Sequence, residues 1–343
     1  MSSIAEPTTT AARPPLTRAD QQAALDVRFG GVWLTGLVAA CAWAVVAAYI
    51  AWWPGQEVIA DPTLLIQFTA AVSIVLLAVS LIGTRVPAVL DALQPIGPWF
   101  IALAVILIAW EAVTAKLGLL PRPFFSTPQG ILNVYFQDFP KLSESLLHSI
   151  RLLAFGYFVG GIMGFLTGIA IGWWKIAGYW LHPVLRFIGP LPATAWLPIA
   201  FFLFPTSFSA STFLVALASG VPVTILTWSG VASVNKDYFD IARTMGASQR
   251  FLVQKVAVPA ALPHVFVGLF MGLGSAFAVL VVAEMLGVKA GLGWYLQWAQ
   301  GWAAYDNMYA ALALMALMCS SLVTLLFFVR DRTLAWQKEL VRW

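Results

Sequence analysis

Long apolar segments separated by short polar ones limit how this chain can fold more than any other feature. Eight segments approach the roughly 20 apolar residues that a helix needs to cross the hydrocarbon core of a bilayer. They lie near residues 31–53, 64–83, 98–118, 150–173, 189–205, 210–232, 260–286 and 306–329. Hydrophobic residues make up 61% of the 343 residues and charged residues only 10%. The sequence therefore predicts an all-α, polytopic membrane protein with about eight transmembrane helices.

The basic residues predict which loops face the cytoplasm, because cytoplasmic loops carry an excess of Lys and Arg. With both termini inside, 14 of the 19 Lys and Arg residues fall in cytoplasmic segments. The reverse orientation would place most of this positive charge outside. We therefore expect both termini in the cytoplasm. The net charge of +4 then reflects topology, and nothing in the sequence indicates nucleic-acid binding.

A polar segment at residues 234–259 interrupts two of the apolar runs. Its pattern predicts a helix, a turn and a second helix, because Gly246 suits a left-handed helix end and Ser248 can cap the next helix. Pro259 then marks a change of direction. The apolar face of the first helix is predicted to comprise Tyr238, Phe239, Ile241, Ala242 and Met245.

This spacing resembles the cytoplasmic coupling loop of ABC-transporter permeases, which reads Glu-Ala-Ala, three residues, Gly, nine residues, Ile-x-Leu-Pro. Here Asp240-Ile241-Ala242 stands for the triplet, Gly246 for the glycine and Val256-Ala257-Val258-Pro259 for the end. Three further motifs resemble importer permeases for nitrate, sulfonates and taurine. They are Leu119-Leu-Pro-Arg-Pro, Pro190-Leu-Pro-Ala-Thr-Ala-Trp-Leu-Pro198, and Ala283-Glu-Met-Leu-Gly287 followed by Gly291-Leu-Gly293.

The resemblance implies a type I importer fold with a six-helix core, preceded here by two extra N-terminal helices. It implies a permease subunit for a small, anionic solute of the nitrate, sulfonate, taurine or carboxylate kind. The loop would dock on a separate ATPase. The residues that the resemblance and the loop pattern assign to this contact are Asp240, Ala242, Arg243, Gly246, Arg250, Val256 and Pro259.

The partners follow from the same resemblance. The chain has no Gly-x-x-x-x-Gly-Lys-Ser/Thr phosphate loop, so ATP and Mg²⁺ are expected on the ATPase subunit and no cofactor in this chain. An external substrate-binding protein is expected to dock around residues 120–150 and 287–305. A second permease copy, most simply forming a homodimer, would complete the pathway within membrane lipid. The implied location is the bacterial inner membrane.

The predicted organisation has four parts. Residues 1–30 form a polar cytoplasmic tail and residues 31–97 an accessory transmembrane hairpin. Residues 98–330 form the permease core, with the coupling loop at 233–259, and residues 331–343 form a cytoplasmic C-terminal tail.

Two apolar segments carry small residues every four positions, which gives a helix face that another helix can approach closely. The first comprises Gly156, Gly160, Gly164, Gly168 and Gly172. Packing explains this ladder completely. The second ladder, Gly268 and Gly272 with Ala276, fits either packing or a flexible helix that moves with a gate.

The proline-rich segment 190–198 is the best candidate for lining a pathway, because the carbonyls that prolines free are tolerated only beside a cavity or packed protein. The pathway or gate candidates are Pro192, Thr194, Trp196, Thr224, Thr227, Ser275 and Glu284. Each Ser or Thr could instead bond its own helix carbonyls. Glu284 could serve a gate, hold the following loop or reach lipid headgroups. Glu111 could pair with a neighbouring helix, pack, or serve transport.

Two other classes remain as alternatives. A secondary transporter would need its own intramembrane coupling charges, for which Glu111 and Glu284 are the candidates. A membrane-embedded enzyme would need converging acid, base or metal ligands, and the sequence offers none. No catalytic or metal-ligating residue is therefore predicted.

Overall fold

The computed structural model describes residues 28–29, 32–53, 55, 61–82, 87–120 and 123–337. Most of the predicted N-terminal tail, residues 338–343 of the C-terminal tail, and Pro121 and Arg122 of the Leu119–Pro123 motif lie outside these residues. The described chain divides into two compact units, residues 1–133 and 134–343. The sequence-based boundaries at residues 30, 97 and 330 stay predictions.

The first unit is built on three apolar helices. Their side chains form one buried cluster around Ala39, Trp43, Val46 and Leu76. Two hydrogen bonds join these helices. Trp43 Nε1 donates to the carbonyl of Phe100 at 2.9 Å, and Ser73 Oγ donates to the carbonyl of Ala40 at 2.8 Å. The elements are β1 (Arg28–Phe29), β2 (Val32–Trp33), α1 (Leu34–Trp52), α2 (Thr63–Ile82), α3 (Pro87–Leu93), a 3₁₀ turn (Gln94–Ile96), α4 (Gly97–Glu111) and a π-helical turn (Ala112–Lys116).

A buried lysine ties α4 to α1. Lys116 Nζ lies 3.7 Å from the Glu111 carboxylate, and both side chains are almost fully buried. The same ammonium donates to the carbonyls of Ile50 and Trp53, which are free at the end of α1. Glu111 thus pairs within its own helical run, not with a neighbouring helix. The π turn explains why two residues five apart meet, since its hydrogen bonds join residues i and i+5.

The second unit contains the remaining long helices. After α5 (Pro128–Gln137), which crosses the boundary between the units, it comprises α6 (Phe139–Trp173), α7 (Lys175–Ile188), a 3₁₀ turn (Ala193–Trp196), α8 (Leu197–Leu203), α9 (Ser207–Ala232), α10 (Lys236–Thr244), α11 (Gln249–Phe251), a π turn (Leu252–Ala257), α12 (Val258–Gly287), α13 (Leu292–Gly301), α14 (Tyr305–Thr333) and a 3₁₀ turn (Ala335–Gln337). The fold is all-α apart from the short β1–β2 pair, as predicted.

Helix α9 packs between α6 and α12, and its backbone lies in direct contact with the backbones of both helices. A Cβ added at Gly160 would lie 2.8 Å from Ala216 Cα, and one at Gly164 would lie 2.6 Å from the Gly220 carbonyl oxygen. On the other side, a Cβ at Gly272 would lie 2.8 Å from the Ser219 carbonyl oxygen. Both glycine ladders therefore face the same helix. Such contact lets membrane helices gain dispersion energy that lipid cannot match.

Seven helical runs in the described part of the chain are long and apolar enough to cross a membrane. The predicted fifth span, 189–205, differs from the structure. Here α7 and the run Ala193–Leu203 meet at a bend of 90°, so this stretch is a broken pair of helices. Pro190 and Pro192 explain the break, because neither can donate a helical hydrogen bond and each disfavours helix in the residue before it.

The glycine contacts predict a sharp difference between two neighbouring alanine substitutions. Gly160→Ala is expected to destabilise the protein by about 1–3 kcal/mol, because the new methyl group has no room against α9. Gly161→Ala is the matched control, since its Cβ would meet only Leu269 Cδ2, at 3.5 Å. Thermal unfolding of both variants in detergent checks this. Equal midpoints for the two variants would contradict the packing of α6 on α9.

Candidate functional site

The segment between α9 and α12 folds as a capped helix, a left-handed turn and a second helix start. Asn235 begins α10 by accepting the amide of Asp237 through its side chain at 3.1 Å. Gly246 ends it with φ of +83°, while Ala247 N donates to the Ala242 carbonyl at 3.0 Å. With Gly246 N donating to the Arg243 carbonyl at 2.9 Å, this is a Schellman motif. Ser248 caps α11, so both predicted helix signals are confirmed.

One side of α10 presents apolar side chains that nothing covers in the described protein. Tyr238 and Ile241 are each 60% exposed and Met245 is 83% exposed. Their spacing of three and four residues puts them on one face, called here the α10 stripe. Asp240 and Arg243 lie on other sides of this helix, away from the stripe, and form an exposed ion pair at 3.2 Å. Such an exposed pair contributes little to folding, so both groups are free to meet another surface.

The opposite side of α10 is anchored to the helix bundle. The ring of Phe239 packs edge-on against Trp173, at 5.5 Å between centroids. Behind it, Ala257 of the π turn is buried in one cluster with Val231, and Leu252 of the same turn is also buried. The predicted apolar face is thus divided: Phe239 packs inward, whereas Tyr238, Ile241 and Met245 project outward.

The remaining residues predicted at the coupling loop lie around this turn. Ala242 is half-buried on α10, and Arg250 is exposed on α11. Val256 is half-buried in the π turn, and Pro259 occupies the first turn of α12. The predicted change of direction at Pro259 is wrong, because the helical run continues through this residue, where a proline is tolerated in a first helical turn. The segment joins α9 on one side and α12 on the other, so a force on the α10 stripe acts directly on the two helices that the glycines hold together.

Most of the Ser and Thr hydroxyls predicted to line a pathway bond to their own helix or lie where two helices pack together. Thr224 donates to the Gly220 carbonyl at 2.8 Å and lies 3.0 Å from the Thr167 hydroxyl of α6. Ser275 donates to the Met271 carbonyl at 3.1 Å. Thr227 is fully buried over Gly168, and among the described residues its hydroxyl has no hydrogen-bond partner. Their part in a pathway stays a prediction.

The proline-rich segment is more open. Pro192 is exposed, and Thr194 and Trp196 are half-buried in the short 3₁₀ turn before α8. The Trp196 Nε1 atom is buried and finds no acceptor within the described part of the chain. An unpaired buried donor is costly, so this nitrogen marks a place where a partner or solute could supply an acceptor.

Glu284 lies at the other end of α12, in a buried polar cluster. The residue is 1% exposed, and its carboxylate accepts the Ser149 hydroxyl at 2.7 and 2.9 Å and the Gly293 amide at 2.8 Å. The Leu292 amide donates to Ser149 Oγ at 2.8 Å. Of the three alternatives left open for Glu284, this geometry matches holding the following loop and excludes a headgroup contact. Sequence reasoning missed Ser149, which is 135 residues away.

A second polar cluster lies on α13. The Tyr295 hydroxyl donates to Asp138 Oδ2 at 2.8 Å, and Asn307 Nδ2 donates to the same oxygen at 3.0 Å. Burial raises the pKa of Tyr295 above its ordinary value, so the hydroxyl keeps its proton and remains a donor. Lys141 Nζ lies 3.2 Å from the centre of the Trp298 ring. No sequence signal identified this cluster. Within the described residues, no group of His, Cys, Asp and Glu is arranged to hold a metal ion.

The long apolar helices define a polytopic membrane protein, and its second unit carries an exposed, anchored helical turn between α9 and α12. Residues 153–335, more than half of the chain, match the family described as "binding-protein-dependent transport system inner membrane component". The chain belongs to this family. It is therefore an ABC-transporter permease of the importer type, and the predicted resemblance is confirmed.

Two sequence relatives support the same classification. The nitrate import permease protein NrtB of Synechococcus elongatus is 27% identical over 73% of this chain and 91% of its own length. The taurine transport system permease protein TauC of Escherichia coli is 30% identical over 69% of this chain and 88% of its length. A chain from the crystal structure of an amino acid ABC transporter covers 59% of this chain and 98% of its own length, with 17% identity and a TM-score of 0.49.

The left-handed turn predicts a graded response at Gly246. No atom lies within 4 Å of a Cβ added there, so a substitution acts only through the backbone. A left-handed residue with a side chain costs about 1–2 kcal/mol, and Asn tolerates this conformation better than Val. Hydrogen exchange of the α10 amides should therefore be roughly tenfold faster in Gly246→Val than in wild type. Gly246→Asn should stay close to wild type, and equal effects of Val and Asn would exclude this explanation.

Proposed function

We propose that this permease imports a small anionic solute, of the nitrate, sulfonate or taurine kind, using ATP hydrolysed by a separate subunit. The observation that carries the proposal is the α10 stripe. It is an exposed apolar face on a capped helix that is fixed between two core helices, which suits a surface that receives a mechanical push.

The exposed chemistry of this site fits a protein partner. Exposed aromatic and aliphatic side chains such as those of the α10 stripe form the usual centre of a protein–protein interface. Exposed charges lie nearby, with Asp240 and Arg243 on other sides of α10 and Arg250 on α11. ATP and Mg²⁺ would bind on the partner ATPase, since the sequence contains no phosphate-binding loop.

The proposed orientation places both termini and the α10 stripe in the cytoplasm, with α13 outside. It rests on the distribution of Lys and Arg. A substrate-binding protein would then dock near α13. We further propose a homodimer with the pathway on its two-fold axis, in a bacterial inner membrane, because one core supplies half of a pathway in such importers.

The solute class rests on the relatives, whose names include nitrate, taurine and aliphatic sulfonate transport. All three solutes carry a compact oxyanion. The polar groups available near the proline-rich segment are Thr194 and the Trp196 Nε1 donor, and both could bind an anion without a strong charge interaction. A weak contact of this kind suits a path that a solute must leave as well as enter.

A secondary transporter is the competing function. It would need ionisable groups available to a coupling ion within the membrane. Glu111 is paired with Lys116, and Glu284 is held by Ser149 and the Gly293 amide. Because both carboxylates are engaged in structural contacts, they favour the ATP-driven mechanism.

Co-purification with candidate ABC ATPase subunits tests the proposal. Wild type is expected to form a stable complex. Ile241→Asp should weaken it at least about tenfold, because a side chain at the centre of an interface contributes about 2 kcal/mol or more. Gln254→Asp is the matched control, since it adds the same charge at an exposed position of the same loop outside the α10 stripe. Failure of the wild-type chain to bind any such ATPase would favour the secondary transporter.

A further inference from the structure

A single helical run connects the α10 turn with Glu284. Helix α11, the π turn and α12 together span Gln249–Gly287 without a break. At a rise of about 1.5 Å per residue, this run is on the order of 55 Å long. One end joins α10, and the other carries Glu284 in its last turn. A helix of this kind, packed along α9, transmits a displacement from one end to the other.

We propose that Glu284 is a positioning residue that fixes α13 to the end of α12 and to α6 at Ser149, so that α13 moves with the core when the α10 stripe is pushed. This inference rests on the proposed function for the push, but the fixing of α13 stands on the structure alone. In this proposal the Ala283–Gly287 and Gly291–Gly293 motifs share one role, which is to hold the start of α13 against the end of α12.

The contacts of the carboxylate come from two different elements. Ser149 belongs to α6, whereas the Gly293 amide is one of the free donors in the first turn of α13. No Lys or Arg of the described chain lies within ion-pair distance of Glu284. A buried carboxylate without a cation is costly unless hydrogen bonds satisfy it. Glu284 is therefore held at the point where α6, α12 and α13 meet.

The glycines of the motif make this contact possible. Gly291 has φ of +122°, and a Cβ there would lie 2.5 Å from the Glu284 carboxylate. A Cβ at Gly293 would lie 2.7 Å from Glu284 Cβ. The backbone of the loop thus passes directly over the carboxylate. Any larger residue at either position would push α13 away from α12.

Helix α13 has a second attachment that does not involve α12. Tyr295 reaches Asp138, which immediately precedes α6, and Asn307 of α14 binds the same carboxylate. Loss of the Glu284 contacts should therefore leave α13 attached near its middle but free to tilt at its first turn. Loss of the Glu284 contacts should therefore change the position and mobility of α13 without unfolding the protein.

Distances between two spin labels test the proposal in the full-length chain in lipid nanodiscs, after Cys41 and Cys319 are replaced by Ser. One label is placed at Gln297 on α13 and the other at Leu147 on α6, both of which are exposed. Wild type should give one narrow distance distribution. Glu284→Leu should broaden it, because the Gly293 amide and the Ser149 hydroxyl lose their acceptor. Glu284→Gln should restore much of the wild-type distribution, since its amide oxygen can accept the Gly293 amide.

The same measurement on the complex with the co-purified ATPase, with and without ATP and vanadate, tests the coupled movement. The wild-type distance should be the same in both states, whereas Glu284→Leu should change it between states. Glu144→Leu, which removes an exposed carboxylate from the same part of α6, is the matched control and should behave as wild type. Retained ATPase binding by Glu284→Leu would show that the fold is intact.

A narrow, wild-type distribution in Glu284→Leu would overturn the positioning role. A wild-type distance that changes with nucleotide would overturn the movement of α13 with the core. If wild type binds no ATPase, the proposed function fails, while the nucleotide-free comparison still decides whether Glu284 fixes α13.

Discussion

The backbone contact of α9 with α6 on one side and α12 on the other is the interaction on which the rest of this structure depends. Glycines at four-residue spacing remove the side chains that would separate these helices, so dispersion forces act over closely matched surfaces. The segment that contains α10, residues 233–257, is inserted between α9 and α12. Its own attachment, Phe239 against Trp173, reaches back to α6. A load applied to this segment is therefore shared by all three helices.

Much of this organisation could be predicted from the sequence, because it follows from short-range rules. The apolar segments predict the long helices, and the four-residue spacing of the glycines predicts which face of α6 packs against another helix. Gly246 predicts the end of α10 because glycine favours the left-handed conformation, and Ser248 predicts the start of α11 because serine is a common N-cap residue. The same rules have a limit at α13, which ends in an identical Schellman motif with Ala303 at φ of 54°. There the tertiary structure imposes a conformation that Ala does not favour.

The parts that could not be predicted depend on distant or irregular geometry. The ladder pattern did not identify α9 as the partner of α6, and nothing near Glu284 pointed to Ser149. The pairing of Glu111 with Lys116 needs a π turn, since five residues on a regular α-helix do not share a face. The segment 189–205 is predicted as a crossing helix that Pro190, Pro192 and Pro198 interrupt. The prolines indicate the interruption, but not that the two helices meet at 90°.

The central claim is that α6, α9 and α12 move as one rigid body when the ATPase pushes on the α10 stripe. Cryo-electron microscopy of the permease bound to its ATPase, without nucleotide and trapped with ATP and vanadate, tests it most directly. The account predicts that the Cα distances from Gly160 to Ala216 and from Gly272 to Ser219 stay unchanged while the α10 stripe shifts with the ATPase. Separation of either pair between the two states would contradict it.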